Sequence, residues 1–505
     1  MNQIRINRIC ILGLSLFVNL STMMGQQDDS RLLQGLESQV SVSGTTSSGS
    51  YAPLWLSANS YGLNSVEQNS AWQRVELFRP LDADSLRLWR LGYGMDVALH
   101  ENSVSTFDIQ QLYASLQYRK LRLTLGSKHQ EIDLRNNELT SGGLGIGINA
   151  RPIPQVKAEM DYFSIPGTHG WWQWKGRISY GMFTDNAWVK DFQHSNNRYA
   201  LNTLYHEKAL YWKFGREDVF PMTFEIGLQM ASQFGGTTYH AFGRNITSGT
   251  TLHHSHGLKA FWNALVAGGS DETDGTESNT GGNHLGSYNM ALSYKGDGWK
   301  ARAYFERYFE DQSMLTLQYG IYDHLAGIEV NLPSNRFVSS FVIEHLSTKD
   351  QSGAVYHDAT ATMPEKMNGR DDYYNHLLYN GWQHWGQAMG HPFLTSPVYS
   401  HTKAYDSNGY IYFRNNRVQA WHFALAGDPS LRWHYRMLMS FTRNWGTYNF
   451  PLPEVLSQCY LMAEATYRPG WWNNGSMKMG MAYDQGKLLG NSFGVQLTLS
   501  KRFFL

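Results

Sequence analysis

The last stretch of the chain alternates without interruption. Phe493, Val495, Leu497 and Leu499 fall on one side and Gly494, Gln496, Thr498 and Ser500 on the other, before the sequence closes on Phe503, Phe504 and Leu505. A period of two means a β-strand with one oily and one polar face. A chain finishing on such a strand with terminal aromatics has the pattern of an outer-membrane β-barrel, whose closing strand is its C-terminus. The expected fold class is therefore all-β: a transmembrane antiparallel β-barrel of about 18 strands with long extracellular loops and a short helical plug.

The N-terminus agrees. Arg5 and Arg8 precede an apolar run from Ile9 to Leu20, and small and polar residues follow up to Gly25 and Gln26. This is the layout of a secretory signal peptide, expected to span residues 1–25, with 26–505 forming the barrel. Met23 and Met24 make a poor cleavage site, and Arg8 and Ile9 stand where a lipid-attachment motif at Cys10 would want small residues. After cleavage only Cys459 remains, so no internal disulfide can staple the fold and stability must come from strand closure. No later run reaches the ~18 apolar residues of a membrane helix.

Composition fits strands in a membrane. Charged residues make up 17% against a usual ~25%, while 17 Trp and 30 Tyr suit the aromatic girdles at the two interfaces. The net charge is zero, with 42 basic and 42 acidic side chains, which argues against nucleic acid as a partner. A mean hydropathy of -0.43 is no objection, because lumen faces and loops of such barrels are polar.

The alternation recurs along the chain. Trp89, Leu91, Tyr93, Met95, Val97 and Leu99 alternate with Arg90, Gly92, Gly94, Asp96, Ala98 and His100; the runs from Phe224 to Met230 and from Leu431 to Phe441 do the same. A soluble β-sandwich also alternates, but its strands average about five or six residues. The runs here are longer and carry charge on the polar face, which suits a wet lumen. Walking back from a periplasmic C-terminus, Arg468 to Gly475, Gly427 to Pro429, Leu332 to Arg336 and Lys295 to Gly298 read as short turns. Residues 236–285, 310–323, 348–415 and 445–458 then fall outside. Leu258, Phe261, Trp262 and Leu265 have helical spacing; this helix either packs on a loop outside or folds inward as a plug, for which a helix near Trp72 is the other candidate.

Chemistry-bearing motifs are sparse. His253, His254 and His256 form the tightest group of candidate metal ligands, yet neighbouring histidines do not share one ion easily and nothing nearby completes a site. Gly268 to Gly282 reads as a solvated acidic loop, without EF-hand spacing. Neither a nucleophile elbow nor a zinc-protease helix occurs, so the expectation is a non-enzyme with no cofactor and no metal. Trp171 with Trp172 and Trp471 with Trp472 lie in Pro-Gly turns, where girdle anchoring is the natural role. The outer segment from Arg370 to Pro397 differs: Tyr373, Tyr374, Asn375, His376, Trp382 and Trp385 cluster in a loop too aromatic for disorder. Those six are the candidate polysaccharide-binding residues, with a self-packed lid as the other reading of the same loop.

Six segments in order, the run Asn136 to Pro154, Leu204 to Gly215, Asn283 to Met290, Tyr304 to Asp311, YYNHLLYNGWQHWG from Tyr373, and Asn415 to Gly427, together resemble the Wzi family of outer-membrane capsule assembly proteins in its Bacteroidetes-type form. The resemblance covers most of the chain. It implies an eighteen-stranded, plugged barrel in the outer membrane of a Gram-negative bacterium, acting as a surface lectin that keeps capsular polysaccharide attached and organised. It implies no catalysis and no cofactor. Capsular polysaccharide and outer-membrane lipid, lipopolysaccharide included, are the expected partners of a monomer. A sugar-conducting porin and a surface enzyme that modifies polysaccharide are the rival readings.

Overall fold

The computed structural model describes residues 33–193, 197–243, 246–268, 281–310, 321–351, 371–399, 401–402, 405–406 and 409–504. The proposed signal peptide and the acidic stretch 269–280 lie outside them. Eighteen strands form one sheet. The first six are β1 (Glu37–Ser47), β2 (Asn69–Arg79), β3 (Trp89–Glu101), β4 (Phe107–Tyr118), β5 (Leu121–Ser127) and β6 (Gln155–Ser164). Next come β7 (Trp172–Met182), β8 (Leu204–Phe214), β9 (Met222–Phe234), β10 (Asn283–Lys295), β11 (Lys300–Glu310) and β12 (His324–Asn331). The last six are β13 (Ser340–Ser347), β14 (Val418–Ser430), β15 (Trp433–Gly446), β16 (Pro451–Tyr467), β17 (Gly475–Gly486) and β18 (Ser492–Phe504).

Each strand pairs antiparallel with its neighbours in sequence, and β1 also pairs β18, Val42 opposite Leu499, so the sheet closes on itself. Closure removes every unpaired edge, which is what lets strands stand in lipid. Parity decides the faces. On β15, Met437, Met439 and Phe441 are 48, 38 and 46% exposed, whereas Leu438, Ser440 and Thr442 are buried. No helix among the described residues is long and apolar enough to cross a membrane.

The connections sort by end. One end carries the tight links, such as 119–120, 296–299 and 431–432, and the other carries 48–68, 128–154, 183–203, 235–282 and 348–417. At the tight end, outward ring pairs Trp89–Tyr118 (4.7 Å), Trp433–Tyr467 (4.5 Å) and Tyr294–Trp299 (5.4 Å) form a girdle, joined by the exposed Trp171 and Trp471. Two expected turns shift. β14 runs on through Gly427 and Pro429 by a register irregularity, as an in-strand proline requires, and the anticipated outer loop 445–458 shrinks to 447–450 because β16 already begins at Pro451.

This topology predicts labelling by a membrane-impermeant maleimide on intact cells. Gly386 is unsuitable as an outer reporter, since a Cβ there would sit 2.4 Å from Val398 and 2.6 Å from Trp188. In a Cys459→Ser background, Asn449→Cys on the outer turn should label and Gly470→Cys should not. The reverse pattern would invert the barrel.

Candidate functional site

Three connections from the long-loop end fold back into the barrel and fill its upper half. The run 128–154 supplies most of the plug, and it is irregular rather than helical. An irregular backbone survives there because lumen side chains satisfy it. Glu344 accepts from Thr140 Oγ1 (2.6 Å), Ser141 N (2.7 Å), Ser141 Oγ and Tyr304 OH (2.5 Å). Glu306 accepts from Leu144 N (3.0 Å) and Gly145 N (3.1 Å) and pairs with Arg135 at 2.9 Å, both side chains 2% exposed. Asp133 pairs with Lys175 (2.7 Å) and Arg177 (2.6 Å) on β7.

The helical part of the plug is a single turn, α1 (Leu54–Ser57), wholly buried in the connection that leads to β2. Leu54 N donates to Asp484 Oδ2 of β17 at 2.8 Å. Trp72 itself lies on β2. A second short helix, α2 (Asn186–Phe192), packs Trp188 and Val189 under the lid. The helix expected to seal the lumen, α3 (Leu258–Val266), does not do so. It lies against the outer wall, where Phe261 packs on Tyr180 and Phe234, and Lys208 Nζ donates to Leu265 O. Leu258, Trp262 and Val266 remain 90, 61 and 48% exposed. Its apolar stripe stays largely uncovered, because beside lipid an apolar face needs no protein cover.

The segment 371–399 forms the lid above the plug. Tyr373, Tyr374 and Trp382 are completely buried. Tyr373 OH donates to Asp323 Oδ2 (3.0 Å), Tyr374 OH donates to Leu144 O and accepts from His391 N (2.9 Å), and Trp382 Nε1 donates to Gly145 O (2.8 Å). Asn375 exchanges hydrogen bonds with the Phe413 backbone at 2.9 and 2.8 Å. His376 Nδ1 accepts from Leu378 N (3.0 Å); burial, then the Arg198 charge, push its pKa down to about 3, so it is neutral at physiological pH. The close fit explains the glycines of the plug motif: a Cβ on Gly147 would lie 2.6 Å from the Gly390 carbonyl oxygen. Of the six candidates only Trp385 and His376 keep partial exposure, and the Arg151 guanidinium stands 4.7 Å over the Trp385 ring. The other four present no ring face or free amide to solvent.

Lid and plug leave little space. One cavity between them and the wall, beside Tyr61, Gln130, Ile153 and Glu207, measures about 50 Å³, room for a water or two and not for a sugar ring. Towards the tight-turn end the lumen is wetter, with Arg436, Glu464 and Lys478 keeping 24, 12 and 39% exposure.

What the lid presents outwards is an aromatic and amide cluster that the sequence reading passed over. Tyr410 and Tyr412 lie 5.6 Å apart, Tyr412 meets Phe450 edge-on at 5.5 Å, and the Arg414 guanidinium stacks 4.0 Å from Phe450. Asp372 sits at their centre, accepting from Tyr412 OH, Asn416 Nδ2 (2.6 Å), Asn375 Nδ2 (2.9 Å) and Asn449 Nδ2 (3.2 Å). Burial raises its carboxyl above the usual range despite those bonds. Phe450 is 48% exposed, Asn449 is exposed and Tyr410 is half-buried, while Tyr412 is buried beneath them. The only hint in sequence was the short run from Tyr410 to Arg414, split from its partners in 447–450 by a whole hairpin.

His253 and His254, raised above as candidate ligands, bond instead to Thr237 Oγ1 (3.1 Å) and Thr238 Oγ1 (2.8 Å) of the adjacent strand Thr237–Gly243.

Fold and sealed mouth together define a closed outer-membrane-type β-barrel occluded by its own loops. No family model matches the chain, and no curated protein sequence does. Among solved structures the chain is similar to Wzi of Escherichia coli, described as an outer-membrane protein involved in group 1 capsule assembly and a carbohydrate-binding β-barrel. The likeness covers 94% of this chain and 86% of that one at 14% identity, with a TM-score of 0.58. It is also similar to OccD3 (OpdP) of Pseudomonas aeruginosa, at 8% identity over 93 and 91% with a TM-score of 0.45. OpdK of the same organism matches at 8% over 94 and 100%, with a TM-score of 0.46. At these identities the likeness is one of fold.

Proposed function

We propose that this protein is an outer-membrane, lectin-like barrel of a Gram-negative bacterium that holds exported capsular polysaccharide at its outer face. The observation that carries the reading is the juxtaposition of a blocked lumen with an outward cluster of Tyr410, Asn449 and Phe450, backed by the buried Tyr412 and by Asp372. A solute needs an open path, whereas a polymer needs only a surface. Aromatic faces stack on sugar C–H faces, amides and carboxylates bond hydroxyls, and repetition along a polymer multiplies weak contacts into avidity. The carbohydrate binding ascribed to Wzi of E. coli supports the same reading. Trp385, half-buried beside Arg151, extends the surface across the lid. Tyr373, Tyr374, Asn375 and Trp382 serve it from beneath as the scaffold.

Tyr410→Ala combined with Phe450→Ala tests this. In a strain deleted for the gene and complemented with the variant at equal surface abundance, capsule should move from the cell into the medium, with total polysaccharide unchanged. Capsule retained as in the parent would refute the surface, and new chain ends in capsule incubated with pure protein would point to an enzyme.

A further inference from the structure

Among the described residues, the cations on the outer wall of β13 to β15, Lys349, Arg417 and Arg443, form no ion pair. Register places Ser347, Gln419 and Arg443 in one row at the outer rim, and Ile343, Phe423 and Met439 in a row nearer mid-wall. Above the rim row, the Trp445 indole is approached by Arg443 at 5.2 Å and Lys349 at 5.5 Å. Arg417 stacks 3.7 Å from Tyr448 and donates from Nε to Lys349 O at 2.9 Å. The ion pairs of the described residues lie elsewhere, chiefly inside the lumen, where Arg135, Arg177 and Arg436 each meet a carboxylate. Like charges gathered around one indole repel unless an anion joins them.

Below that cluster the wall is concave and wholly apolar. A groove of about 590 Å³ is lined by Phe341, Ile343, Phe423, Leu425, Met437 and Met439, among others. Met439 and Arg443 are four residues apart on one strand, so about 13 Å separates groove from cations. The exposed Trp421 and Phe441 fill the level between. Charge at the headgroup level, aromatics beneath it and a methionine-rich slot at acyl depth follow the order of a lipid from head to tail.

We infer that Lys349, Arg417 and Arg443, with the groove below them, form a binding site for one phosphate-bearing lipid of the outer leaflet. Guanidinium and ammonium groups bind phosphate oxygens by charge-assisted hydrogen bonds, and the acyl chain fills the slot. The lipid would brace the wall on the flank that carries the 447–450 turn, linking the barrel to the leaflet in which capsule is displayed. This site is independent of the polysaccharide reading.

Native mass spectrometry of the full-length barrel in detergent tests it, with three probes: diphosphorylated lipid A, its dephosphorylated form, and inorganic phosphate. The phosphorylated lipid should stay bound, the dephosphorylated form should bind at least about tenfold more weakly, and inorganic phosphate should not be retained. Lys349→Gln, Arg417→Gln and Arg443→Gln combined should lose the lipid, by about tenfold for each cation removed. Met439→Trp, which fills the groove without touching charge, should lose it too. If the triple variant fails to fold, Arg443→Gln alone carries the test, because Arg443 is exposed. Unchanged retention by the charge variant, equal binding of the dephosphorylated lipid, or equal binding of inorganic phosphate would each overturn the site.

Discussion

Glu306→Ala combined with Glu344→Ala is expected to turn a silent barrel into a conducting one. Among the described residues Arg135 forms its ion pair with Glu306 alone, and losing that carboxylate strands a buried guanidinium, at a cost of about 3–5 kcal/mol. Losing Glu344 leaves Ser141 N and Tyr304 OH without their acceptor, at about 1–3 kcal/mol for each buried group left unsatisfied. Both glutamates lie on barrel strands, β11 and β13, but the ladders are backbone bonds that their carboxylates do not enter, so the wall should close while the plug unseats. An eighteen-stranded barrel without its plug is wide enough for an aqueous channel. Single-channel recording in a planar bilayer should show steady conductance for the variant and none for the parent. A silent variant, folded and lipid-inserted, would mean that the lid alone seals the mouth.

Acid should act on the same seam through Asp133. Burial pushes its carboxyl up, but the charges and hydrogen bonds of Arg177 and Lys175 outweigh that and hold it below the usual range. A depressed folded-state pKa gives stability that is complete above the unfolded value of ~3.9 and lost as pH falls below it. The parent should therefore stay silent from about pH 8 to 5, and any acid opening should begin only below about pH 4.

Trp382→Ala and Trp385→Ala should part company. Trp382 is fully buried between plug and lid and gives its indole N–H to Gly145 O, so truncation opens a cavity and orphans a carbonyl, for about 3–5 kcal/mol. Its signature is earlier thermal unfolding of the lid and intermittent conductance. Trp385 is half-buried and held by Arg151, a contact worth about 0.5–2 kcal/mol. Its loss should spare the fold and conductance while releasing capsule into the medium. If both variants release capsule equally with unchanged melting, the distinction between scaffold and surface fails.

Much of the wall was legible in sequence because a strand writes its two environments at a period of two. Phe493 to Ser500 and Trp89 to His100 name their faces residue by residue, and the turns at 296–299 and 468–474 fell where Gly, Pro and Asn marked them. The plug was not legible in that way. Its run from Asn136 to Pro154 has no periodicity, since its backbone is satisfied by Glu306 and Glu344 from distant strands. The α3 helix shows the opposite failure. Its stripe at Leu258, Phe261, Trp262 and Leu265 is real, but spacing cannot tell a lumen from a lipid face, and the structure puts it outside against Tyr180 and Phe234.

The candidate loop divides along the same line. That Tyr373, Tyr374, Asn375, His376, Trp382 and Trp385 belong to one aromatic unit follows from their adjacency in the chain. Which of them face out is decided by where Leu144, Gly145 and Asp323 meet them, contacts made across long sequence separations. The sequence by itself determined an antiparallel closed barrel, because alternation and turn chemistry are local properties of the chain. Only the tertiary structure decided which loops seal the lumen and which aromatics remain at the surface, because burial is set by what returns from elsewhere in the chain to cover them.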